Sequence, residues 1–461
     1  MRRADLLVAE IGSTITKLSA FDLKGGGGDS PAPFLGQGVS LTTVDEGDVT
    51  VGLTRAMEDL KSRLGIETEG ANLMAASSAA GGLKMTVHGL TRDMTLRAAS
   101  EASLGAGAVV VYTTVGEIRD EDIAEIERVS PRLILLAGGV DYGERDVIVK
   151  NARILSAIGL NIPIIYAGNV SAKGEIERIF GESRLRLLTC DNVYPRIDEL
   201  NLKPVKEIIQ RAFSDHIINA PGMERVKEMV QGDVMPTPGA VMAASELLYD
   251  EIGDLMVVDV GGATTDVHSV TSGSPKLTRL MTAPEPLAKR TVEGDLGVFH
   301  NAQNILKQSQ MSTAEWGGGA VDAAEGGIDG LAPIPTDEEE VKRTSLLCKW
   351  AVDLAVWRHA GEIKVAYGTF GRSELVEGRD LTAVKSIIGT GGALCRLDGG
   401  RDILKSIRRD IRDKKLLPPG DAEVSIDSNY IMAAAGVMVK KHPECALSSL
   451  KMSLGLDQKG A

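Results

Sequence analysis

The sequence has few of the features that mark secreted, membrane-spanning or disulfide-stabilised proteins. Its four cysteines are scattered and form no CxxC pair, which argues against a disulfide framework and against a zinc site at the usual spacings. No apolar run reaches the roughly 18 residues of a membrane span. Glu10 interrupts the apolar stretch near the N-terminus, so we expect no secretory signal. These absences predict a cytoplasmic protein that has no membrane partner.

Positive charge and aromatic residues are also scarce. The formal net charge is -13 and aromatic residues make up 3% of the chain, which argues against nucleic acid as a partner. The six histidines form no HExxH or HxxxH pair, so no histidine metal site is expected. In contrast there are 52 glycines, which favour closely packed α/β layers and glycine loops.

One stretch, LMVVDVGGATTDVHSV at residues 255–270, places polar residues between two apolar runs. It predicts a buried strand that ends near Asp259, a glycine turn and a second strand. Free amide groups in such a turn favour an anion, commonly phosphate. A carboxylate beside phosphate requires a cation between them, and Mg²⁺ is suited to that position. A plain β-hairpin with a glycine turn explains the stretch equally well.

An earlier stretch, LLVAEIGSTITKLSAFDL at residues 6–23, repeats the pattern. Glu10 takes the place of the carboxylate, and Gly12, Ser13 and Thr14 follow it. Lys17 adds a cation that can contact phosphate as a point charge. Two such hairpins predict two similar halves that close on one nucleotide. Because GxxxxGK[ST] is absent and a strand follows each turn, neither a P-loop nor a dinucleotide-binding Rossmann fingerprint is present.

A third glycine turn occurs in IIGTGGALCR, residues 387–396. Gly389, Gly391 and Gly392 end a predicted strand and precede a predicted helix. Such a turn lets the backbone pack closely against a purine or a ribose. Taken alone it is a weak indication, because glycine turns of this kind are common.

Together, these three turns resemble those of the actin, Hsp70 and sugar-kinase ATPase superfamily. They also follow one another along the chain in the same order as in that superfamily. EIGSTITK is similar to the first phosphate loop, DVGGATTD to the second and IIGTGGA to the adenosine loop. TPGAVMAASELLYD and NYIMAAAGVM resemble the two connecting helices. The resemblance implies an α/β, two-lobed, ribonuclease H-like ATPase fold. One departure is Glu10, which stands where aspartate is usual.

Within the superfamily, the chain most resembles the GlmL/MutL family of glutamate mutase accessory proteins, which is unrelated to mismatch repair. The resemblance rests on RTVEGDLGVFHNA, on LLAGGVDYGERDVIVKNA with IPIIYAGN, and on GDVMPTPGAVMAASELL. It implies an ATP-hydrolysing partner of an adenosylcobalamin-dependent mutase, such as glutamate or ornithine aminomutase. Related reactivating factors use ATP to release damaged cobalamin so that intact coenzyme can enter.

The superfamily resemblance also implies roles for individual residues, with ATP and Mg²⁺ as cofactors. Glu10 and Asp259 would hold Mg²⁺, largely through water. The water-positioning base is Asp259 or Asp266, and the sequence does not separate them. The residues expected to contact ATP are Gly12, Ser13, Thr14 and Lys17 on one side of the phosphates, Gly261, Gly262, Ala263, Thr264 and Thr265 on the other, and Gly389, Gly391 and Gly392 behind the nucleoside.

The length of 461 residues predicts several units. Strand–helix repeats from 72 to 195 predict an inserted parallel α/β subdomain. The other units are 1–71, the first half of lobe I; 196–253, connecting helices; 254–430, lobe II; and 431–461, a helical segment. The insertion loosely resembles cobalamin-binding Rossmann-like domains, but it lacks DxHxxG, so we expect no bound cobalamin. It either imitates or docks against the cobalamin subunit of the mutase, or it is a plain superfamily insertion.

Two other enzyme classes share these loops. ATP-dependent hydantoinase or oxoprolinase subunits, which are amidohydrolases, carry similar DVGG-containing turns. A small-molecule kinase of the superfamily is the second alternative. Acyl-CoA dehydratase activators bridge a dimer with a cysteine-bound iron–sulfur cluster. They are disfavoured because the four cysteines of this chain are widely scattered. The sequence is compatible with a homo-oligomer and does not identify the mutase served.

Overall fold

A computed structural model describes residues 2–24, 33–44, 46–78, 83–216, 221–308, 331–368, 371–407 and 414–456. Within these ranges, the N-terminal part contains one helix and six strands. They are β1 (Arg2–Arg3), β2 (Leu6–Ile11), β3 (Ile15–Phe21), β4 (Phe34–Leu41), α1 (Val49–Leu64), β5 (Ile66–Glu67) and β6 (Asn72–Ser77). Helix α1 begins where Asp48 Oδ1 accepts a hydrogen bond from Thr50 N at 2.9 Å, and it ends at Gly65, whose φ is 62°.

The insertion alternates strands and helices, as the sequence predicts. Its elements are β7 (Lys84–Gly89), α2 (Arg97–Gly105), β8 (Val109–Val115), α3 (Asp120–Val129), β9 (Leu133–Leu136), α4 (Asp146–Ser156), β10 (Ile164–Tyr166), α5 (Lys173–Gly181) and β11 (Leu187–Thr189). The strands form one parallel sheet in the order β11-β10-β9-β7-β8. This is the doubly wound order 2-1-3-4-5, so the predicted inserted α/β subdomain is confirmed.

The N-terminal edge of the insertion differs from the predicted boundary at residue 72. Strand β6 pairs in parallel with β2, from Leu6 opposite Asn72 to Ile11 opposite Ser77. It therefore extends the first-lobe sheet, and the insertion sheet starts only at β7. A short apolar strand has the same sequence pattern in either sheet. The pattern therefore groups β6 with the strand–helix repeats that follow it.

In the part of 203–252 that the structure describes, the chain returns to the first lobe through three helices and a short strand. They are α6 (Lys203–His216), α7 (Met223–Met229), β12 (Met235–Pro236) and α8 (Thr237–Ile252). Strand β12 pairs with β6 and completes the first sheet. Pro238 lies at the start of α8, where its missing N–H leaves no intrahelical bond unmade.

The second lobe and the C-terminal segment follow. The elements are β13 (Leu255–Val260), β14 (Thr265–Val270), α9 (Pro275–Thr278), β15 (Ala288–Glu293), α10 (302–308), α11 (Glu338–His359), β16 (Glu362–Gly368), β17 (Gly371–Glu377), β18 (Ser386–Thr390), α12 (Gly392–Arg396), α13 (Gly400–Lys405), β19 (Glu423–Ile426), α14 (Met432–Met438) and α15 (Pro443–Leu454). In the described residues, no helix is both long and apolar enough to span a membrane.

The two lobe sheets have the same topology. The first has the order β4-β3-β2-β6-β12 and the second has the order β15-β14-β13-β18-β19. In each, the first three strands in chain order are antiparallel neighbours and the last two pair in parallel. This duplication confirms the predicted two-lobed, ribonuclease H-like fold of the actin and Hsp70 superfamily, with the insertion between β6 and β12.

Helices α8 and α14 pack against each other between the two sheets. Together with Leu6 and Val8 of β2 and Leu255 and Val257 of β13, they form one apolar core. Their contact is so close that a Cβ on Gly436 would lie 1.8 Å from the Ala240 carbonyl oxygen. The two predicted connecting helices thus form the joint between the lobes, and glycine is required where they cross.

Candidate functional site

A cavity of about 770 Å³ opens between the lobes, within the size range of small-molecule sites. It lies at the turns of the β2–β3 and β13–β14 hairpins. Most residues predicted from the sequence line it: Glu10, Gly12, Ser13, Thr14, Lys17, Asp259, Gly261, Gly262, Ala263, Thr264, Asp266 and Gly392. The structure therefore brings the two distant sequence stretches to one place.

The two hairpin turns have matching geometry. Gly12 N donates to Ile15 O at 3.0 Å, and Gly261 N donates to Thr264 O at 3.0 Å. The turns also face each other directly, because a Cβ on Gly262 would lie 3.1 Å from Thr14 Oγ1. Each lobe thus contributes one tight turn to the same wall of the cavity.

These turns leave backbone amide groups available. Among the described residues, the N–H groups of Ser13, Thr14, Gly262 and Ala263 have no hydrogen-bond acceptor. All four residues line the cavity. Opposed turns with free amide donors form an anion-binding concavity, so this end of the cavity suits a phosphate chain.

In the first hairpin the carboxylate is already paired. Glu10 and Lys17 lie opposite each other in the β2–β3 register, and their charged atoms are 2.9 Å apart. Lys17 Nζ also lies 3.0 Å from the centre of the Tyr430 ring and donates to Tyr430 O at 3.3 Å. The lysine therefore compensates the negative charge of Glu10, and its ammonium group lies against the face of the Tyr430 ring.

In the second hairpin Asp259 has no such partner. Within the described ranges no protein donor bonds to its carboxylate. Burial, together with the negative charges of Asp266 and Glu10, raises the pKa of Asp259 to about 7. A cation placed beside this carboxylate would favour its charged form.

The donor set around Asp259 fits Mg²⁺. The described residues contain no group of three His, Cys, Asp or Glu side chains that could enclose a metal ion. Mg²⁺ is usually held by one or two carboxylates together with water and phosphate oxygens rather than by such a cage. Asp259 supplies one carboxylate, whereas Glu10 must share its charge with Lys17.

Asp266 lies opposite Asp259 in the β13–β14 register but is fully paired. Arg290 Nε donates to Asp266 Oδ1 at 2.8 Å, and Arg290 Nη2 lies 2.6 Å from the same oxygen. Thr264 Oγ1 donates to Asp266 Oδ2 at 2.9 Å. The two aspartates that the sequence leaves equivalent therefore have different environments, and of the two, Asp259 is the one whose carboxylate no described residue pairs with.

Three of the predicted binding residues do not line the cavity. The Thr265 hydroxyl donates to Leu296 O at 2.7 Å. Gly389 faces the core, where its Cβ would meet Leu404 and Ile426 side chains. Gly391, at φ 87°, packs the turn onto the end of β13, because a Cβ there would lie 2.4 Å from Val260 O. These residues support the site from behind.

Tyr430 and Arg396, which were not predicted from the sequence, line the cavity beside Gly392. Tyr430 has a positive φ of 52°. Arg396 Nη2 donates to Gln37 Oε1 at 3.1 Å and Gln37 Nε2 donates to Tyr430 O at 3.2 Å, so this group bridges the lobes. Arg396 ends the stretch IIGTGGALCR and Tyr430 begins NYIMAAAGVM after its asparagine, but neither pattern distinguishes these two side chains as cavity residues.

The buried Asp427 holds the Tyr430 turn in place. It accepts hydrogen bonds from Thr390 Oγ1 at 3.0 Å and from Met432 N at 2.8 Å. This carboxylate therefore joins the end of β18 to the first turn of α14. The sequence signal was an aspartate shortly before a small-residue helix, which is typical of a helix N-terminus.

The chain matches a family model described as MutL protein over residues 6–454. Protein MutL of Clostridium tetanomorphum is 37% identical over 462 residues, covering 97% of this chain and 98% of that protein. Among solved structures, nucleotide-free acetone carboxylase aligns over 95% of this chain and 70% of its own, with 14% identity and a TM-score of 0.39. Ethanolamine utilization protein EutJ from Carboxydothermus hydrogenoformans aligns over 94% and 88%, with 12% identity and a TM-score of 0.30.

Proposed function

Because the chain belongs to the MutL protein family, we propose that it is an ATP-hydrolysing accessory protein of an adenosylcobalamin-dependent mutase. Glutamate and ornithine aminomutase are the mutases that the family resemblance suggests. In this role the protein uses ATP to promote the exchange of damaged cobalamin for intact coenzyme. The observation that carries the ATP-binding part is the pair of matching hairpin turns with free amides facing one cavity.

The phosphate chain is bound by the two turns. The amides of Ser13 and Thr14 contact it from lobe I, and those of Gly262 and Ala263 contact it from lobe II. Gly392, Tyr430 and Arg396 form the wall against the nucleoside. Binding from both lobes makes the site sensitive to the angle between them, and α8 and α14 form the joint on which that angle depends.

Asp259 is the carboxylate that we assign to catalysis, because Arg290 and Thr264 occupy the oxygens of Asp266. When Mg²⁺ is bound, it neutralises phosphate charge, and Asp259 and Glu10 would hold it. Asp259 also orients the attacking water. The water oxygen bonds to the γ-phosphorus, the bond to the bridging oxygen of ADP breaks, and the proton of the water passes to the released phosphate. Catalysis of this kind depends on positioning and charge neutralisation.

The insertion supplies the surface for the mutase. Its carboxyl-end loops expose Tyr142 and Ile197, which are 84% and 70% exposed. Asn169 Oδ1 accepts from Tyr142 N at 2.9 Å, which holds Tyr142 at a positive φ of 63°. Asp141 N donates to Pro195 O at 2.9 Å, so the two loops adjoin. A strained backbone that presents an exposed aromatic side chain supports a contact role.

The test is a reactivation assay on an aminomutase inactivated by damaged cobalamin. We expect the protein with Mg²⁺ and ATP to restore mutase activity and to release the damaged cobalamin into a filtrate. Asp259→Asn, or omission of ATP, removes both effects. Equal recovery without ATP contradicts the proposal. ATP-dependent hydrolysis of a hydantoin or of oxoproline would instead assign the protein to the amidohydrolases.

A further inference from the structure

The insertion packs against lobe II through buried ion pairs. Helix α2 lies on β15 at this contact. Lys289 Nζ is 2.9 Å from Glu101 of α2 and 2.9 Å from Glu285, and Arg97 of α2 pairs with Glu285. Arg97 also donates to Pro284 O at 2.9 Å. The insertion is therefore attached to lobe II by charges that water screens little.

Arg290, the next residue on β15, joins this contact to the nucleotide cavity. Its side chain is 2% exposed. Nε and Nη2 bind Asp266, and Nη1 donates to Leu104 O at 3.0 Å and Ala108 O at 3.3 Å. One guanidinium group thus binds lobe II with one edge and the insertion with the other.

Both ends of this connection lie at the cavity. On one side, Thr264 of the second turn donates to Asp266. On the other, Gly107 and Val109, which flank Ala108, line the same cavity as the two turns. Arg290 thus joins Asp266, which Thr264 of the β13–β14 turn contacts, directly to the 104–109 segment.

We propose that Arg290 is a positioning residue. It transmits the binding of nucleotide at the turn of the β13–β14 hairpin to the insertion. This inference rests on the proposed function, because it requires that the cavity binds a nucleotide. Coupling of two sites is reciprocal, so a partner bound to the insertion changes nucleotide affinity by the same factor.

The role requires arginine rather than any cation. Its planar fork holds donors in fixed, separate directions, whereas the lysine ammonium is a single point charge on a flexible stem. A lysine at this position keeps a charge beside Asp266 but cannot bind Asp266 and both carbonyls at once. Arg290→Lys therefore keeps a positive charge beside Asp266 but removes the connection between Asp266 and the insertion, so it distinguishes the two effects.

The experiment is hydrogen–deuterium exchange on the full-length protein, with and without Mg²⁺ and the non-hydrolysable analogue AMP-PNP. In the wild type we expect protection of both turns and slower exchange at 104–109, by about fivefold or more. In Arg290→Lys the turns remain protected, and the change at 104–109 is lost.

Arg379→Lys is the matched control. Arg379 is 3% exposed, and its contacts with Ser269, Pro286 and Leu287 all lie within lobe II. We expect this variant to keep the wild-type response at 104–109, and loss of the response in both variants would show a general effect of buried arginines and overturn the assignment.

The wild-type measurement keeps the inference falsifiable if Arg290→Lys does not fold. Protected turns without any change at 104–109 overturn the role of Arg290 and leave the proposed function intact. Absence of protection anywhere overturns the proposed function, and the inference with it. An unchanged response at 104–109 in folded Arg290→Lys contradicts the inference alone.

Discussion

Asp259 and Asp266 lie directly opposite each other across the β13–β14 hairpin, and in the described part of the chain Asp266 forms an ion pair with Arg290 whereas Asp259 forms none. The equivalent positions of the first hairpin are Glu10 and Lys17, which neutralise each other. The two halves of the molecule thus repeat the same register with different charges. Of the two hairpins, the second leaves its carboxylate without an ion pair to any described residue, beside the two facing turns.

This difference predicts opposite consequences for the two aspartates. Asp259→Asn should lower ATP hydrolysis on the order of 10²-fold or more without loss of stability. Asp266→Asn should lower the free energy of unfolding by about 3 kcal/mol, because Arg290 is then buried without a carboxylate. Steady-state ATPase rates and urea unfolding of both variants check this. Equal stability losses would show that Asp259 is also a structural ion-pair residue.

The raised pKa of Asp259 predicts a pH dependence of stability. The folded protein holds this proton up to a pH of about 7, whereas an unfolded aspartate loses it near pH 3.9. The folded state therefore binds more protons between these values, and the contribution of Asp259 to stability falls as pH rises through that window.

Asp259→Asn should remove this dependence, since asparagine does not titrate. Compared with the variant, the wild type should lose about 2 kcal/mol between pH 4.5 and 7.5, after allowance for partial exposure. Urea unfolding of both proteins at the two pH values measures it. The difference between the two proteins isolates Asp259 from the buried His88, whose pKa burial lowers to about 4. A pH-independent difference would contradict the environment described for Asp259.

The helix crossing predicts that Gly436 tolerates no side chain. Gly436→Ala places a methyl group 1.8 Å from the Ala240 carbonyl oxygen, and we expect a loss of about 1–3 kcal/mol from overpacking. Gly174→Ala is the matched control, because nothing lies within 4 Å of its Cβ position in α5. That variant should gain about 0.5–1 kcal/mol. Thermal unfolding of both shows whether packing at the joint, rather than helix propensity, decides the outcome.

The exposed residues of the insertion predict a binding defect without an ATPase defect. Tyr142→Ser combined with Ile197→Ser should weaken binding to the mutase about tenfold or more, since such apolar residues commonly dominate interfaces. Basal ATP hydrolysis should not change. Tyr367→Ser is the control, because Tyr367 is equally exposed, at 82%, but lies on β16. Calorimetric titration measures the affinities, and equal losses in both variants would argue against the insertion as the contact surface.

The sequence predicted the local elements of the site well. A strand, a carboxylate, a glycine turn and a returning strand are encoded within about twenty residues, because hairpin register and turn geometry are short-range properties. The duplicated pattern at Glu10 and Asp259 was sufficient to predict two facing turns. The inserted parallel sheet was predicted from short apolar runs that end in glycine and lead into helices, and the two connecting helices from their resemblance to those of the superfamily.

The sequence by itself therefore determined the two hairpins, their polar turns and the α/β order of the chain. Only the tertiary structure decided which aspartate is paired, because Arg290 reaches Asp266 across neighbouring strands while its other edge binds carbonyls nearly two hundred positions away. It also decided that Gly389 faces the core, that Tyr430 covers Lys17, and that β6 joins the first sheet. Burial, charge pairing and strand partners depend on which segments meet, and that is a property of the whole fold.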